Sequence, residues 1–525
     1  MKENSKKAGI HLLEKGKRGI FRVIFSRSGL ILVLLAMQVL FLFSIFHWFE
    51  AFLPHIYGGV VIFTFFMVLY LLNSAMDPTA KITWLVVVML LPVFGALLFL
   101  YTQKNIGHRA LKKRYAELNT ETAETLVQSP ETAQALGQSD PGAAALARYV
   151  QRSGCYPVYD HTAVTYFPLG EDKFREMLIQ LEQAKRFIFL EYFILQPGVF
   201  WDSILDILEE KAAQGVEVRL IYDDMGCIFS LPRDYNEQLA ARGIQCRVFN
   251  RFVPIMSLRL NNRDHRKLMI IDGKVGFTGG INLADEYINR RERFGHWKDS
   301  AILLEGDAVW SMTVMFLTMW DHCCGWEEEF RHFRPEPSAV RPWTGYVQPY
   351  TDTPLDRETV GQAVYLNMIS KARKYIYITT PYLVIDVATN TALCNAAKAG
   401  VDVRIITPHI PDKRSVFEVT KAHYPPLLEA GVKIYEYTPG FIHAKNFVVD
   451  GRYATVGTVN LDYRSLFLHF EDGVWLCDAP CIADIKADFE KTLEQCEAIS
   501  LRRARHLNIL VQLYRSVLRI FAPLM

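Results

Sequence analysis

The chain has 525 residues, half of them hydrophobic, and 58 Lys and Arg against 56 Asp and Glu for a net charge of +2. The near-neutral balance gives nucleic-acid binding no support, and the apolar excess points to membrane segments in a chain long enough for more than one domain. Nine scattered cysteines without a CxxC pair argue against a disulfide framework or a cysteine-ligated zinc site, and favour a reducing, cytosol-facing compartment.

Residues 1–28 are polar and basic, and are expected to stay in the cytoplasm. Three apolar runs fill 29–103, at 29–46, 56–73 and 82–101. Each has about the length that crosses a hydrocarbon core of roughly 30 Å, so N-terminal transmembrane helices and a multi-pass cell-membrane protein are expected. The third run holds Pro92 and Gly95 and could bend, lie shallow or re-enter. Lys104, Arg109, Lys112, Lys113 and Arg114 follow it at once and resist translocation. Two true spans with a cytoplasmic-facing body satisfy these charges better than three. Residues 116–143 are rich in Thr, Glu, Gln, Ala and Ser, so that 104–144 reads as a linker or a loose helix outside the core.

The body, from 145, contains an internal repeat, with halves at 145–345 and 346–498. "RFIFLEYFIL" (186–195) pairs with "KYIYITTPYL" (374–383), and "AQGVEVRLIYDD" (213–224) with "KAGVDVRIITPH" (398–409). Strands alternating with helices predict an α/β fold with a largely parallel sheet in each half, forming a pseudo-two-fold body.

Each half then carries a histidine and a lysine two residues apart: "HRKLMIIDGKVGFTGGIN" from His265 and "HAKNFVVDGRYATVGTVN" from His443. Residues i and i+2 of a strand share a face, so His265 projects with Lys267, and His443 with Lys445. Asp272-Gly273 and Asp450-Gly451 are favoured type I′ turns, so the two aspartates serve geometry more than chemistry on this reading. The returning strands end near Asn282 and Asn460, bringing an amide back toward each His/Lys end. Imidazole, ammonium and amide together suit a phosphate, and two such halves supply a nucleophile and a proton donor for in-line displacement at phosphorus.

The doubled pattern His-x-Lys-x4-Asp-x6-Gly-[Gly/Ser/Thr]-x-Asn resembles the phospholipase D superfamily. The resemblance implies a catalytic set of His265, Lys267, Asp272, His443, Lys445 and Asp450, no metal, no cofactor and a covalent phosphohistidine. It further implies that His265 is the nucleophile, while His443 protonates the leaving alcohol and later deprotonates the attacking one. Asn282, Asn460 and Thr458 belong to the phosphate-binding and supporting set. In this family an acidic residue downstream of each Asn supports a histidine. "HWKDSAILLEG" offers Asp299; in "HFEDGVWLCD" the resemblance points to Glu471, although column-by-column alignment pairs Asp299 with Asp472.

The apolar N-terminal runs, the two repeats and "NLDYRSLFLHFE" are together similar to the bacterial cardiolipin synthases. That resemblance implies transfer of a phosphatidyl group from one phosphatidylglycerol to another, giving cardiolipin and glycerol. The alternatives are a membrane-bound hydrolase releasing phosphatidic acid and a transphosphatidylase using phosphatidylethanolamine. The implied partners are phospholipids and the bilayer, with no nucleic acid. Residues 499–525 read as a basic amphipathic helix, able to lie on an anionic membrane surface or to pack against the body.

Overall fold

A computed structural model describes residues 36–41, 53–74, 76–103, 108–251, 262–325, 329–335, 343–356 and 358–524. They form two compact units, an N-terminal one reaching Arg109 and a larger one built from Ala110–Arg251 and Asn262–Met525.

In the N-terminal unit, the 1–28 segment and all of the first apolar run except 36–41, which are helical, lie outside the described residues. The second run forms the helix Leu53–Asn73. The third run, expected to be able to bend or re-enter at Pro92 and Gly95, breaks into Pro78–Leu90 and Pro92–Gln103. Asp77 caps the first arm, its carboxylate accepting the N–H of Thr79 at 2.9 Å and of Ala80 at 3.1 Å. Leu91 leaves the helical region, at φ −132° and ψ 70°, because the following proline ring crowds a helical residue before it. Gly95 lets the arms meet: a Cβ there would lie 2.6 Å from the Val87 carbonyl oxygen. Arms of 13 and 12 residues reach only about 20 Å at 1.5 Å per residue, short of a hydrocarbon core. Met67 and Leu71 of the longer helix pack with Trp84, Val88, Ala96 and Phe99 of the hairpin. Among the described residues no helix is long and apolar enough to cross a membrane. The expectation of multi-pass transmembrane helices is thus not supported by the described residues, whose second and third apolar runs form a packed helical element. Its outer surface stays apolar, with Val61, Ile62, Phe65, Phe66 and Leu90 exposed.

In the larger unit, the segment read as a linker folds into His108–Thr125, Pro130–Ser139 and the start of Pro141–Gly154. Tyr115, Leu118, Thr122 and Leu126 recur at helical spacing and are buried. Ser129 and Asp140 cap the next two helices, each followed by a proline.

The first repeat contributes β1 (Thr162–Phe167), β2 (Phe187–Tyr192), β3 (Glu217–Asp223), β4 (Gln245–Phe249), β5 (Arg263–Asp264), β6 (Lys267–Ile271), β7 (Val275–Gly279), β8 (His296–Lys298) and β9 (Ala301–Gly306). The second contributes β10 (Tyr346–Asp352), β11 (Tyr375–Thr379), β12 (Asp402–Pro408), β13 (Lys433–Tyr437), β14 (Gly440–Ile442), β15 (Asn446–Val449), β16 (Tyr453–Gly457), β17 (His469–Cys477) and β18 (Cys496–Ala498). The sheets run β1-β9-β7-β6-β2-β3-β4 and β10-β17-β16-β15-β11-β12-β13-β18. The orders correspond strand for strand, with β18 as an added edge, so the repeat read in the sequence is the architecture. The sheets are mixed rather than largely parallel. In the first, β2-β3-β4 are parallel, while β2-β6, β6-β7, β7-β9 and β9-β1 are antiparallel. The three-residue connections Asp272–Lys274 and Asp450–Arg452, turning at Asp-Gly, leave no room for a crossover and force a hairpin. All four turn residues are left-handed, at φ 54° and 67° for Asp272 and Gly273, and 55° and 72° for Asp450 and Gly451.

The helix Val309–Cys324 follows β9 and packs against β6 of one sheet and β10 of the other, which explains why it is buried on every side from Val309 to Asp321. At the C-terminal end, Arg503 and Arg505 of the short helix Leu501–Arg505 pair with Glu497 and Glu429, and in the helix Ile509–Phe521 Arg515 Nε donates to Glu418 Oε2 at 2.7 Å. Its basic side thus holds the body, while Ile509, Leu510, Leu513, Tyr514 and Val517 are exposed.

Candidate active site

The two motif histidines lie just past two short strands that cross between the repeats. β5 pairs in parallel with the start of β17, Arg263 opposite His469 and Asp264 opposite Phe470. β14 pairs in parallel with β8, Phe441 opposite Trp297 and Ile442 opposite Lys298. One step further along each ladder, His265 meets Glu471 and His443 meets Asp299. The backbone fixes this register: His265 N donates to Phe470 O at 2.9 Å and His443 N to Lys298 O at 2.7 Å. His265 Nδ1 lies 2.9 Å from Glu471 Oε2, and His443 Nδ1 lies 2.7 Å from Asp299 Oδ2. Each imidazole is therefore oriented by a carboxylate from the other repeat, across 206 and 144 residues of chain. With both carboxylates ionised, each Nδ1 carries the hydrogen and each Nε2 keeps its lone pair.

The same register separates Glu471 from Asp472. Gly279 faces Ala301 in the first sheet and Gly457 faces Gly473 in the second. Counting back two residues from each pairs Asp299 with Glu471, and Ser300 with Asp472. Alignment by columns through His296 and His469 is off by one; the counterpart of His469 is Trp297. Asp472 turns to the Thr278 hydroxyl instead, with its carboxyl pushed up to about 6 by burial.

Lys267 and Lys445 are buried, each ammonium donating to the carbonyl of its own motif histidine. Burial lowers Lys267 to about 8 and Lys445 to about 7, against the pull of Asp299 and Glu471. Burial likewise holds His265 down to about 3 and His443 to about 4. Burial works against the charge of Glu471 and Asp299, yet each stays below the usual carboxylate range because a histidine faces it.

The remaining expected residues take other positions. Asp272 accepts the N–H groups of Lys185, Arg186 and Phe187 at 2.9, 2.7 and 2.9 Å. Asp450 accepts those of Arg373, Lys374 and Tyr375 at 2.7, 2.8 and 2.8 Å. Seven residues of extended chain put each about 20 Å from its histidine. The structure thus places both as clamps on a neighbouring strand, and not beside the imidazoles. Asn282 spends its amide on structure, accepting from Ile194 N at 3.0 Å and donating to Tyr287 OH at 2.8 Å. Asn460 is buried with Oδ1 unpaired. The Thr458 hydroxyl serves Glu471 Oε2 at 2.5 Å.

Two neighbours escaped the sequence reading. Lys173 is fully buried with Nζ lacking a hydrogen bond, within the field of Asp299, Lys267 and Asp472, and burial lowers it to about 7. Its place in line with Met177 and Leu181 on a helical apolar face was the available signal. His469 lies against His265, ring centres 5.6 Å apart, as Trp297 lies against His443 at 5.6 Å. No sequence signal marked it, because the off-by-one alignment pairs it with His296.

The family described as "Cardiolipin synthase, PLD-like domain" matches residues 177–305 and 365–493, and one described as "Phospholipase_D-nuclease N-terminal" matches 61–102. An uncharacterized protein of Streptococcus mutans is 47% identical over 458 residues, which is 87% of this chain and 99% of the relative. A cardiolipin synthase of Geobacillus kaustophilus is 34% identical over 450 residues, 85% of this chain and 89% of the relative. The phosphatidylserine synthase of Haemophilus influenzae shares the fold, with a TM-score of 0.55 at 14% identity over 72% of this chain and 98% of that one. The chain belongs to the bacterial cardiolipin synthase family of phospholipase D-like enzymes.

Proposed function

We propose that the chain transfers a phosphatidyl group from one phosphatidylglycerol to the hydroxyl of another, making cardiolipin and glycerol. The observation that carries this reading is the pair of imidazoles, each held at Nδ1 by a carboxylate of the opposite repeat. Nε2 of His265 attacks phosphorus; the P–N bond forms as the P–O bond to glycerol breaks. His443 gives that oxygen its proton. It then takes a proton from the hydroxyl of the second phosphatidylglycerol, whose oxygen displaces His265. Lys267 and Lys445 offset the charge of the phosphoryl oxygens. Glu471 keeps the hydrogen on Nδ1 and stabilises the charge that His265 acquires when phosphorylated. Neutral imidazoles suit a nucleophile. The acid role of His443 draws on the substrate, since a phosphodiester anion beside it favours the charged form. Asp272 and Asp450 support the site as strand clamps.

We place the protein at a membrane surface, where its lipid substrates are. The exposed apolar face of Leu53–Asn73 with its hairpin, and that of Ile509–Phe521, support this contact. A hydrolase would use the same groups. A water-poor cleft separates the two outcomes, and both motif histidines are more than nine-tenths buried.

The test reconstitutes the full chain in phosphatidylglycerol vesicles with chelator and follows lipids and glycerol by mass spectrometry. The expected result is cardiolipin with matching glycerol, lost by at least about 10⁴-fold in His265→Ala, the scale of losing a catalytic nucleophile. Phosphatidic acid alone would replace this reading with hydrolysis. Acid-free peptide mapping of a quenched reaction is expected to find phosphate on His265; phosphate on His443 would reverse the two roles.

A further inference from the structure

Among the described residues, one group of side chains has the composition of a metal site, and it joins His265 and Glu471 of the reaction just described to His469, which that reaction does not use. His265, His469 and Glu471 offer three ligand atoms that all lie within 4.8 Å of one another. We propose that this group binds one divalent transition-metal ion of the zinc type, and that the bound ion disables His265. The binding half of the proposal stands on geometry alone; the inhibitory half rests on the transferase reading.

His469 carries the first support. Its side chain is only 10% exposed, yet neither ring nitrogen has a hydrogen bond. A buried polar group without a hydrogen bond costs stability. Glu471 Oε1 is buried and lacks a hydrogen bond as well, its contact with His469 Nδ1 being an ion-pair distance of 3.6 Å. Two unsatisfied groups therefore face each other beside the motif histidine. One cation would satisfy both. Two imidazoles and a carboxylate are the N/O set that zinc accepts at about 2.0–2.2 Å, leaving a fourth position open. Magnesium and calcium prefer oxygen ligands and would not select this set.

The other half of the molecule supplies the contrast. There Trp297 stands where His469 stands, and an indole offers no lone pair to a metal. Asp299 Oδ1, the counterpart of Glu471 Oε1, accepts the Ser300 N–H at 2.8 Å. The structure therefore assigns one ion per chain, on the His265 side. Lys267 opposes a cation there, while Asp472 and Asp462 act in its favour; the field of Asp462 reaches both His469 and Glu471. Binding displaces the hydrogen bond between His265 and Glu471 or occupies the remaining lone pair of the ring, with release of a proton wherever a protonated nitrogen is taken. In either mode His265 loses what an attack on phosphorus needs.

The probe is zinc chloride added to the full-length protein in detergent micelles, followed by calorimetry, with His469→Gln and His469→Asn as variants and His296→Gln as control. Thermal unfolding checks that the variants fold. The expected result is one equivalent bound with micromolar affinity in the wild type and in the control, and weakened at least about 30-fold in both His469 variants. Zinc bound by any of the nine free cysteines would persist in every variant. In the vesicle assay, zinc is expected to suppress cardiolipin formation about tenfold or more, chelator to restore it, and the His469 variants to keep basal turnover within about threefold while ignoring zinc. No binding up to about 100 µM, or binding equal in wild type and His469 variants, overturns the site. Binding that depends on His469 without inhibition of turnover overturns the switch. If the site binds zinc in a protein that makes no cardiolipin under any condition, the metal site stands and the transferase reading fails.

Discussion

The two halves solve the same problem with different residues. Both must set a carboxylate against Nδ1 of the opposite histidine, one step beyond a short parallel ladder. The first half uses Asp299 and the second Glu471, one methylene longer. Asp299 presses against Gly280, where a Cβ would fall 2.1 Å from its Oδ1, and its own neighbour Ser300 supplies the N–H that satisfies that oxygen. Glu471 instead receives the hydroxyl of Thr458, the counterpart of Gly280. A small residue and a short acid, or a hydroxyl and a long acid, fill the same space. The pairing of acid with neighbour is thus what each half maintains, more than the identity of either.

The largest effect that would break this equivalence comes from the acids. Glu471→Gln and Asp299→Asn each leave a neutral amide that no longer fixes the imidazole tautomer, and each is expected to lower turnover by roughly 10²–10⁴-fold. Turnover rates from phosphatidylglycerol vesicles check this; loss in one variant alone would mean that only one half does chemistry. A smaller effect sharpens the difference in packing. Gly280→Ala drives a methyl group into Asp299 and should cost at least about tenfold in turnover, together with a lower melting temperature. Thr458→Ala removes a hydroxyl without a clash and should cost about 1 kcal/mol of site organisation, near fivefold. Equal effects in the two variants would refute the packing contrast. The smallest effect is in pH dependence. Lysine is charged below its pKa, and Lys445 and Lys267 sit near 7 and 8. The value of kcat/KM is therefore expected to fall as pH rises through 7–8, because that ratio reports the free enzyme. In Lys445→Arg the guanidinium stays charged, so the residual activity should keep its value to higher pH.

Much of this was legible in the chain. The doubled motif, the hairpin turns at Asp-Gly and the helix–strand alternation placed the two His/Lys pairs at matching positions of the two halves, although His265, His443 and Lys445 lie in the irregular segments that precede β6 and β15 and not on strands. The sharing of carboxylates between halves was not legible, because it depends on β5 and β14 pairing with segments far away in the sequence. The order of the sheets also lay beyond periodicity, which finds strands without saying which way neighbours run. The helices at 108–154 were hidden by composition: threonine at 122 and 132 is buried in places where an apolar residue was sought. The break in the third apolar run was legible, since Pro92 and Gly95 mark where it divides.

The crossed ladders also set a timetable. During synthesis, the first motif emerges complete at residue 267, yet its acid arrives only with residue 471. A chain still attached to the ribosome carries His265 with no group to fix its tautomer, and Asp299 waits for His443 in the same way. Neither imidazole meets its acid until nearly the whole body has been made, so a truncated or stalled product lacks the histidine–carboxylate pairs that join the halves.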